Sequence, residues 1–175
     1  MKPNGKKPFI RNIFFIIIFL LIASIGCGKK DGGEKTVDGN EGYVFEYDGV
    51  AIRLGEKAEP VVEALGRPLK APFEAPSCAF DGIDRTHFYK GFEMYTYPVG
   101  GEDYVASILF TDDSVFTVEK IRLGMSLEDV FEAYGDSYTE ETGLYTYTAG
   151  STSVSFLIEA GAVSSVMYNY DNADD

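Results

Sequence analysis

The chain is poor in the residues that most often carry chemistry. Of its 175 residues two are cysteine and one is histidine, and Cys78 is the only cysteine outside the N-terminal leader. An intramolecular disulfide in the folded part is therefore excluded. A single histidine, His87, leaves few general-base arrangements, and there is no G-x-S-x-G elbow, no phosphate-cradling Gly loop and no H-E-x-x-H pair. Long apolar runs are missing too: Ile13 to Ala23 has eleven residues, whereas a bilayer span needs about 20. Basic residues are scarce. Four of the 15 Lys and Arg lie in positions 1 to 26 with none of the 28 acids, which leaves 28 acidic residues against 11 basic, a net charge of −17. Such a surface repels nucleic acid and anionic lipid, and neither is expected as a partner. Calcium would be attracted, but neither Thr111-Asp112-Asp113-Ser114 nor the tail Asp171 to Asp175 has the alternating spacing of a loop built to hold it. No metal and no cofactor is expected.

What is present begins with an export leader. Lys2, Lys6, Lys7 and Arg11 form a basic n-region, Ile13 to Ala23 a short h-region, and small residues follow. With Cys27 the run Ser24-Ile25-Gly26-Cys27 resembles the lipobox of bacterial lipoproteins, although Ser24 stands where leucine is commoner. The resemblance implies cleavage before Cys27 and acylation of its sulfur. A diacylglyceryl group supplies the two chains that a durable anchor requires. The expected place is the outer side of the plasma membrane. Gly28 to Gly42 has five glycines and one apolar side chain, Val37. Such a segment cannot bury enough surface to offset its chain entropy and is expected to be a tether of about 20 Å. The expected organisation is thus a signal peptide at 1–26, a lipidated cysteine and tether at 27–42, two repeats at 43–116 and 117–171, and an acidic tail at 172–175.

The repeats rest on one gapless alignment. IRLGEKAEPVVEALG, Ile52 to Gly66, lies on IRLGMSLEDVFEAYG, Ile121 to Gly135, at an offset of 69. Ala58, Val61, Val62 and Leu65 fall at i, i+3, i+4 and i+7, and Leu127, Val130, Phe131 and Tyr134 repeat that stripe. Each copy predicts a short helix with one apolar face. Ser126 and Asp129 form a capping-box pattern, Pro60 sits in an opening turn, and Gly66 and Gly135 stand where a left-handed cap is wanted. Helices this short are marginal in water, so packing must hold them.

Period-2 segments rich in Tyr, Phe, Val, Ile and Thr follow each helix: 87–89, Phe92 to Tyr97 and Tyr104 to Phe110, then Leu144 to Thr148, Val154 to Glu159 and Val163 to Tyr170. Val105 to Phe110 matches Val163 to Tyr168 at an offset of 58. Gly100-Gly101, Ala149-Gly150 and Ala160-Gly161 provide hairpin turns, so the strands should be antiparallel. The expected fold is α+β, with two tandem repeats, each a short helix followed by a meander of three to four strands. A leading strand through Ile52 or Ile121 should open each unit, and the helices should lie on one face of the sheet.

These paired helix starts, each followed by a Tyr-rich meander, resemble the tandem repeats of beta-lactamase inhibitory protein and the outer-membrane assembly lipoproteins of SmpA/OmlA type. The run SCAFDGIDRTHFYKGFEMYTYP with YVASILFTDD is similar to uncharacterised lipoproteins of Gram-positive anaerobes. The resemblance covers residues 43 to 171. It implies a sheet face that grips a partner protein; the disulfides that staple the inhibitor's repeats are not inherited, because one cysteine cannot form them.

Strand parity predicts which side chains form that face. Phe92, Met94 and Thr96, with Val154, Phe156 and Ile158, are expected against the helices. Glu93, Tyr95 and Tyr97, with Ser155 and Leu157, are expected on the open face. His87 and Tyr89 align with Tyr145 and Tyr147, and all four join Tyr95 and Tyr97 as binding-face candidates. Tyrosine offers rigid contact area with a polar tip, which suits an envelope protein or glycan; it also simply fits a half-buried strand.

Cys78 and His87 are nine positions apart. A thiol nucleophile would need them in contact, with Asp81 or Asp84 orienting the imidazole. Free cysteine is among the most buried residue types and Cys78 is flanked by Ala79 and Phe80, so a buried structural thiol is the expectation; an exposed one could form a mixed or intermolecular disulfide. Gly66 to Tyr89 takes 23 positions where Gly135 to Tyr147 takes 12, so Cys78 lies in an insertion of about 11 residues unique to the first repeat. The function expected is a lipid-anchored extracytoplasmic binding or scaffold module; the alternatives are an inhibitor or chaperone of an exported enzyme, and a small cell-surface thiol enzyme using Cys78 and His87.

Overall fold

The structure is a computed structural model that describes residues 42–171. The leader, Cys27, most of the tether and the tail at 172–175 lie outside the described residues. The described part is mostly antiparallel sheet with two helices. A hairpin of β1 (Val44–Tyr47) and β2 (Val50–Arg53) comes first, then α1 (Ala58–Leu65) and strands β3 (Phe73–Pro76), β4 (Ile83–Tyr89), β5 (Phe92–Val99) and β6 (Glu102–Phe110). After a linker come α2 (Leu127–Tyr134) and strands β7 (Thr139–Glu141), β8 (Leu144–Ala149), β9 (Thr152–Glu159) and β10 (Ala162–Tyr170). Strands β3 to β10 make one eight-stranded sheet in the order β3-β4-β5-β6-β10-β9-β8-β7. The two meanders therefore meet at β6 and β10, and the last strand of each in sequence is central.

Helix α2 begins as its sequence dictates. Ser126 Oγ accepts from the Asp129 N–H at 3.2 Å while the Asp129 carboxylate accepts from the Ser126 N–H at 2.9 Å, the reciprocal capping box. The Ser126 hydroxyl also donates to that carboxylate at 2.7 Å, and this bond, ahead of the one from the Ser126 N–H, holds the Asp129 carboxyl below the usual carboxylate range. Gly66 and Gly135 close the helices with φ of 71° and 80°, which a side chain rarely tolerates. Their ψ near −150° and −160° puts them outside the left-handed helical region expected of them.

The I-R-L-G segments are docked in the same way. The Gly55 N–H donates to the Val105 carbonyl at 2.8 Å and the Val105 N–H returns a bond to Glu56; the Gly124 N–H donates to Val163 at 2.9 Å and the Val163 N–H returns one to Met125. Next to each docking point the strand bulges. Thr96 faces Val105 but Tyr95 faces Ser107, leaving Ala106 extra; Ile158 faces Val163 but Leu157 faces Ser165, leaving Ser164 extra. The extra residue resets the alternation. Val105, Ile108 and Phe110 consequently share one buried face, as do Val163, Val166 and Tyr168.

That face carries the core. Phe92, Met94, Ile108, Val154, Phe156 and Val166 are fully buried there, joined by Ala58 and Val61 of α1 and Val130 of α2. The hairpin closes its centre: Phe45 is 1 % exposed, with its ring 5.0 Å from Phe92, 5.2 Å from Phe110 and 5.9 Å from Tyr168. Full burial of such a ring contributes about 1.5–3 kcal/mol.

The leading strand expected through Ile52 is present as β2, which pairs with β1; the one expected through Ile121 is corrected. Ile121 is not in a strand, because the Thr117 N–H bonds the Ile121 carbonyl at 2.8 Å and the Ile121 N–H bonds Thr117 Oγ1 at 3.1 Å, folding the linker on itself. That loop still delivers Ile121 to the core at 2 % exposure.

Candidate functional site

The two outer hairpins of the sheet differ in their connections, and the site is built on that difference. Where β7 and β8 are joined by two residues, β3 and β4 are joined by six, 77–82. Ser77 Oγ accepts from the Phe80 N–H at 3.2 Å, and the Ser77 N–H donates to the Gly82 carbonyl at 3.0 Å, which curls the loop. Gly82, at φ 140°, lies so close to Pro98 that an added Cβ would stand 2.8 Å from its ring. This seats the loop on β5 and brings the Phe80 ring to 5.1 Å from Tyr97. Tyr97 in turn lies 5.9 Å from Tyr104 and nearly parallel to Tyr170 at 6.5 Å.

Under the loop is an open groove of about 340 Å³. Tyr95, Tyr97, Phe80 and Tyr170 supply its aromatic lining, and the bulge residue Ala106 lets the floor stay low. Tyr95 Oη donates to Glu93 at 2.6 Å, and burial, more than that carboxylate, pushes the phenol up to about 12. At one wall Arg85 pairs with Glu74 at 2.8 Å and with Asp103. Asp84, also in the lining, has a buried Oδ1 without a hydrogen-bond partner. The groove thus offers apolar walls with one acceptor unmet.

The binding-face candidates separate into two groups. Tyr95 and Tyr97 line the groove. His87, Tyr89, Tyr145 and Tyr147 do not belong to that face. The register sets them opposite Met94, Phe92, Phe156 and Val154 respectively, and directly opposed residues share a face, here the core face. His87, Tyr89 and Tyr147 are 6 %, 6 % and 2 % exposed. Burial pushes the Tyr147 phenol up to about 12, and its hydroxyl donates to the Gly135 carbonyl at 3.0 Å, tying β8 to the end of α2. Tyr145 is half-buried between Phe131, 5.7 Å away, and Tyr138, 5.2 Å away. Ser155, expected on the open face, is 8 % exposed, a small side chain hidden among larger ones.

Cys78 is corrected as well: it is a free, exposed thiol, because the loop that carries it lies on the surface. His87 has no hydrogen-bond partner on either nitrogen, so no Cys78–His87 pair is formed. Burial lowers the His87 pKa, with Asp103 pulling it up and Arg85 pulling it down. Among the described residues no group of three or more His, Cys, Asp or Glu is placed to hold a metal. Phe80, Ala106 and Tyr170 are among the groove residues that sequence reasoning did not select, and Asp84 was considered only as a partner for His87. The long segment between Gly66 and Tyr89 was the signal for Phe80. No protein-family model, no curated protein and no solved structure matches the chain.

Proposed function

We propose that the chain is a lipid-anchored extracytoplasmic module that binds a partner protein through the aromatic groove beneath loop 77–82. Two tandem helix-plus-meander units form it, with both helices on one face of the sheet so that the other is left for recognition. The repeat reading is supported by three correspondences: the matched Gly55–Val105 and Gly124–Val163 bonds, the bulges at Ala106 and Ser164, and a strand order that mirrors about β6–β10. The observation that carries the function is the groove itself, which four aromatic side chains line together with Asp84, whose buried Oδ1 is unpaired. Buried aromatics at the centre of a contact are the residues on which protein affinity usually depends. An inhibitor or chaperone of an exported enzyme would use the same groove. A thiol enzyme has less support, since His87 bonds nothing and lines a different cleft.

A photo-crosslinker at the exposed Ala79 in living cells should capture a discrete envelope protein. Tyr95→Ala with Tyr97→Ala should then weaken the complex by about thirtyfold or more, the loss typical of two anchor residues. An unchanged crosslink in the double variant would sink the groove as the site. The anchor is tested separately. Cys27→Ala should release the protein to the medium or leave its leader uncleaved, and normal membrane retention of that variant would refute lipidation.

A further inference from the structure

A second cleft, of about 710 Å³, opens between α1 and the β5–β6 turn, with His87 in its lining. Its origin is visible by comparing the two halves. At the offsets of the repeat, Val62 corresponds to Phe131 and His87 to Tyr145. Phe131 and Tyr145 meet edge to face at 5.7 Å, and Tyr138 stacks on Phe131 at 5.1 Å, filling the second half. Val62 and His87 are smaller, and both line the open cleft instead.

His87 is 6 % exposed, yet neither imidazole nitrogen has a partner. A buried donor and acceptor both left unmade are rare in folded proteins and call for a ligand or an ordered solvent molecule. The charges around the cleft indicate which kind. Lys57 is held by Glu102 at 2.7 Å, and Arg85 by Glu74 and Asp103. Glu59 and Glu63, one turn apart on α1, make no ion pair among the described residues. The unspent charge is therefore negative, which disfavours phosphate and carboxylate ligands. An ammonium has three N–H donors and no acceptor, matching the imidazole's acceptor nitrogen and two carboxylates and leaving the imidazole N–H to solvent.

We propose that this cleft binds a primary ammonium group, with neutral His87 accepting one N–H at the base and Glu59 and Glu63 supplying the opposing charge. The site is separate from the aromatic groove and does not depend on it. Its ligand is either a free amine or the lysine side chain of a partner.

His87 is the only histidine, so its imidazole resonances in the full chain, solubilised in detergent without a histidine tag, report on this cleft alone. Cadaverine and Nα-acetyl-lysine amide are the probes, with tetramethylammonium, which has no N–H, as the ionic control. At least one probe should move the His87 signals saturably while tetramethylammonium does not. A response to cadaverine alone assigns a free amine, and a response to the lysine amide places a partner's side chain there. Glu59→Gln with Glu63→Gln, both exposed on α1, should weaken binding at least tenfold without altering the fold. Val62→Phe should abolish it by filling the cleft as Phe131 fills the other half. No saturable shift with either probe, an equal shift with tetramethylammonium, or undiminished binding in either variant would overturn the proposal.

Discussion

Phe45→Ala is expected to destabilise the folded domain by about 3–5 kcal/mol, the usual cost of removing a buried ring and leaving the space behind it. Total stability for a domain of this size is about 5–15 kcal/mol, so the variant should lose a large share of it. The reason is position. Phe45 packs on Phe92 and Phe110 from the first meander and on Tyr168 from the second, so one side chain spans the junction of the sheet. Collapse of the hairpin onto the void is restrained, because β1 pairs only with β2 and its Asp48-Gly49 turn, φ 49° and 82°, is already tight. Urea denaturation should show a lower midpoint with an unchanged slope, the mark of lost stability rather than altered compactness. A loss below about 1 kcal/mol, the level of an average surface change, would mean that the hairpin is not part of the cooperative core.

That hairpin also shows where the sequence was readable and was misjudged. Asp-Gly between VFEY and VAIR is a strong two-residue turn signal, although the expectation above placed a strand only through Ile52. The helices and the six long strands follow from 3.6- and 2-residue periodicity and the α2 capping box from its residue types, and the structure has them within a few residues. The binding face follows less well. Tyr89 and Phe92 flank the two-residue turn Lys90-Gly91, which pairs them directly; once Phe92 is assigned to the core, Tyr89 and His87 must share its face. The register was therefore legible, and it puts His87 and Tyr89 on the core face rather than the open one. The bulges were not legible: nothing in VASILF announces that Ala106 is extra, and strict alternation would bury Leu109 instead of Ile108. Nor was the path of loop 77–82, since it depends on Gly82 meeting Pro98, sixteen residues away.

Gly55→Ala is expected to cost about 2–5 kcal/mol, whereas Gly124→Ala should cost only about 1–2 kcal/mol, although both occupy the same place in the repeated I-R-L-G. Each glycine has a positive φ, 77° and 85°, and each donates its N–H to a central strand, so the backbone penalty of a side chain is common to both. The difference lies in what an added Cβ would meet. At Gly124 nothing stands within 4 Å, but at Gly55 the Tyr170 ring is 2.5 Å away. Tyr170 cannot turn aside freely, since its ring lies parallel to Tyr97 at 6.5 Å and both line the aromatic groove. Overpacking at Gly55 must therefore be relieved through the site, by displacing Tyr170 and with it the support of Tyr97. Denaturation of the two variants side by side checks the first claim, and equal losses would refute it. The second is checked by the envelope crosslink from Ala79, which should weaken in Gly55→Ala and persist in Gly124→Ala under conditions where both remain folded. If Gly55→Ala folds and crosslinks normally, the groove does not depend on the Tyr170–Tyr97 pair.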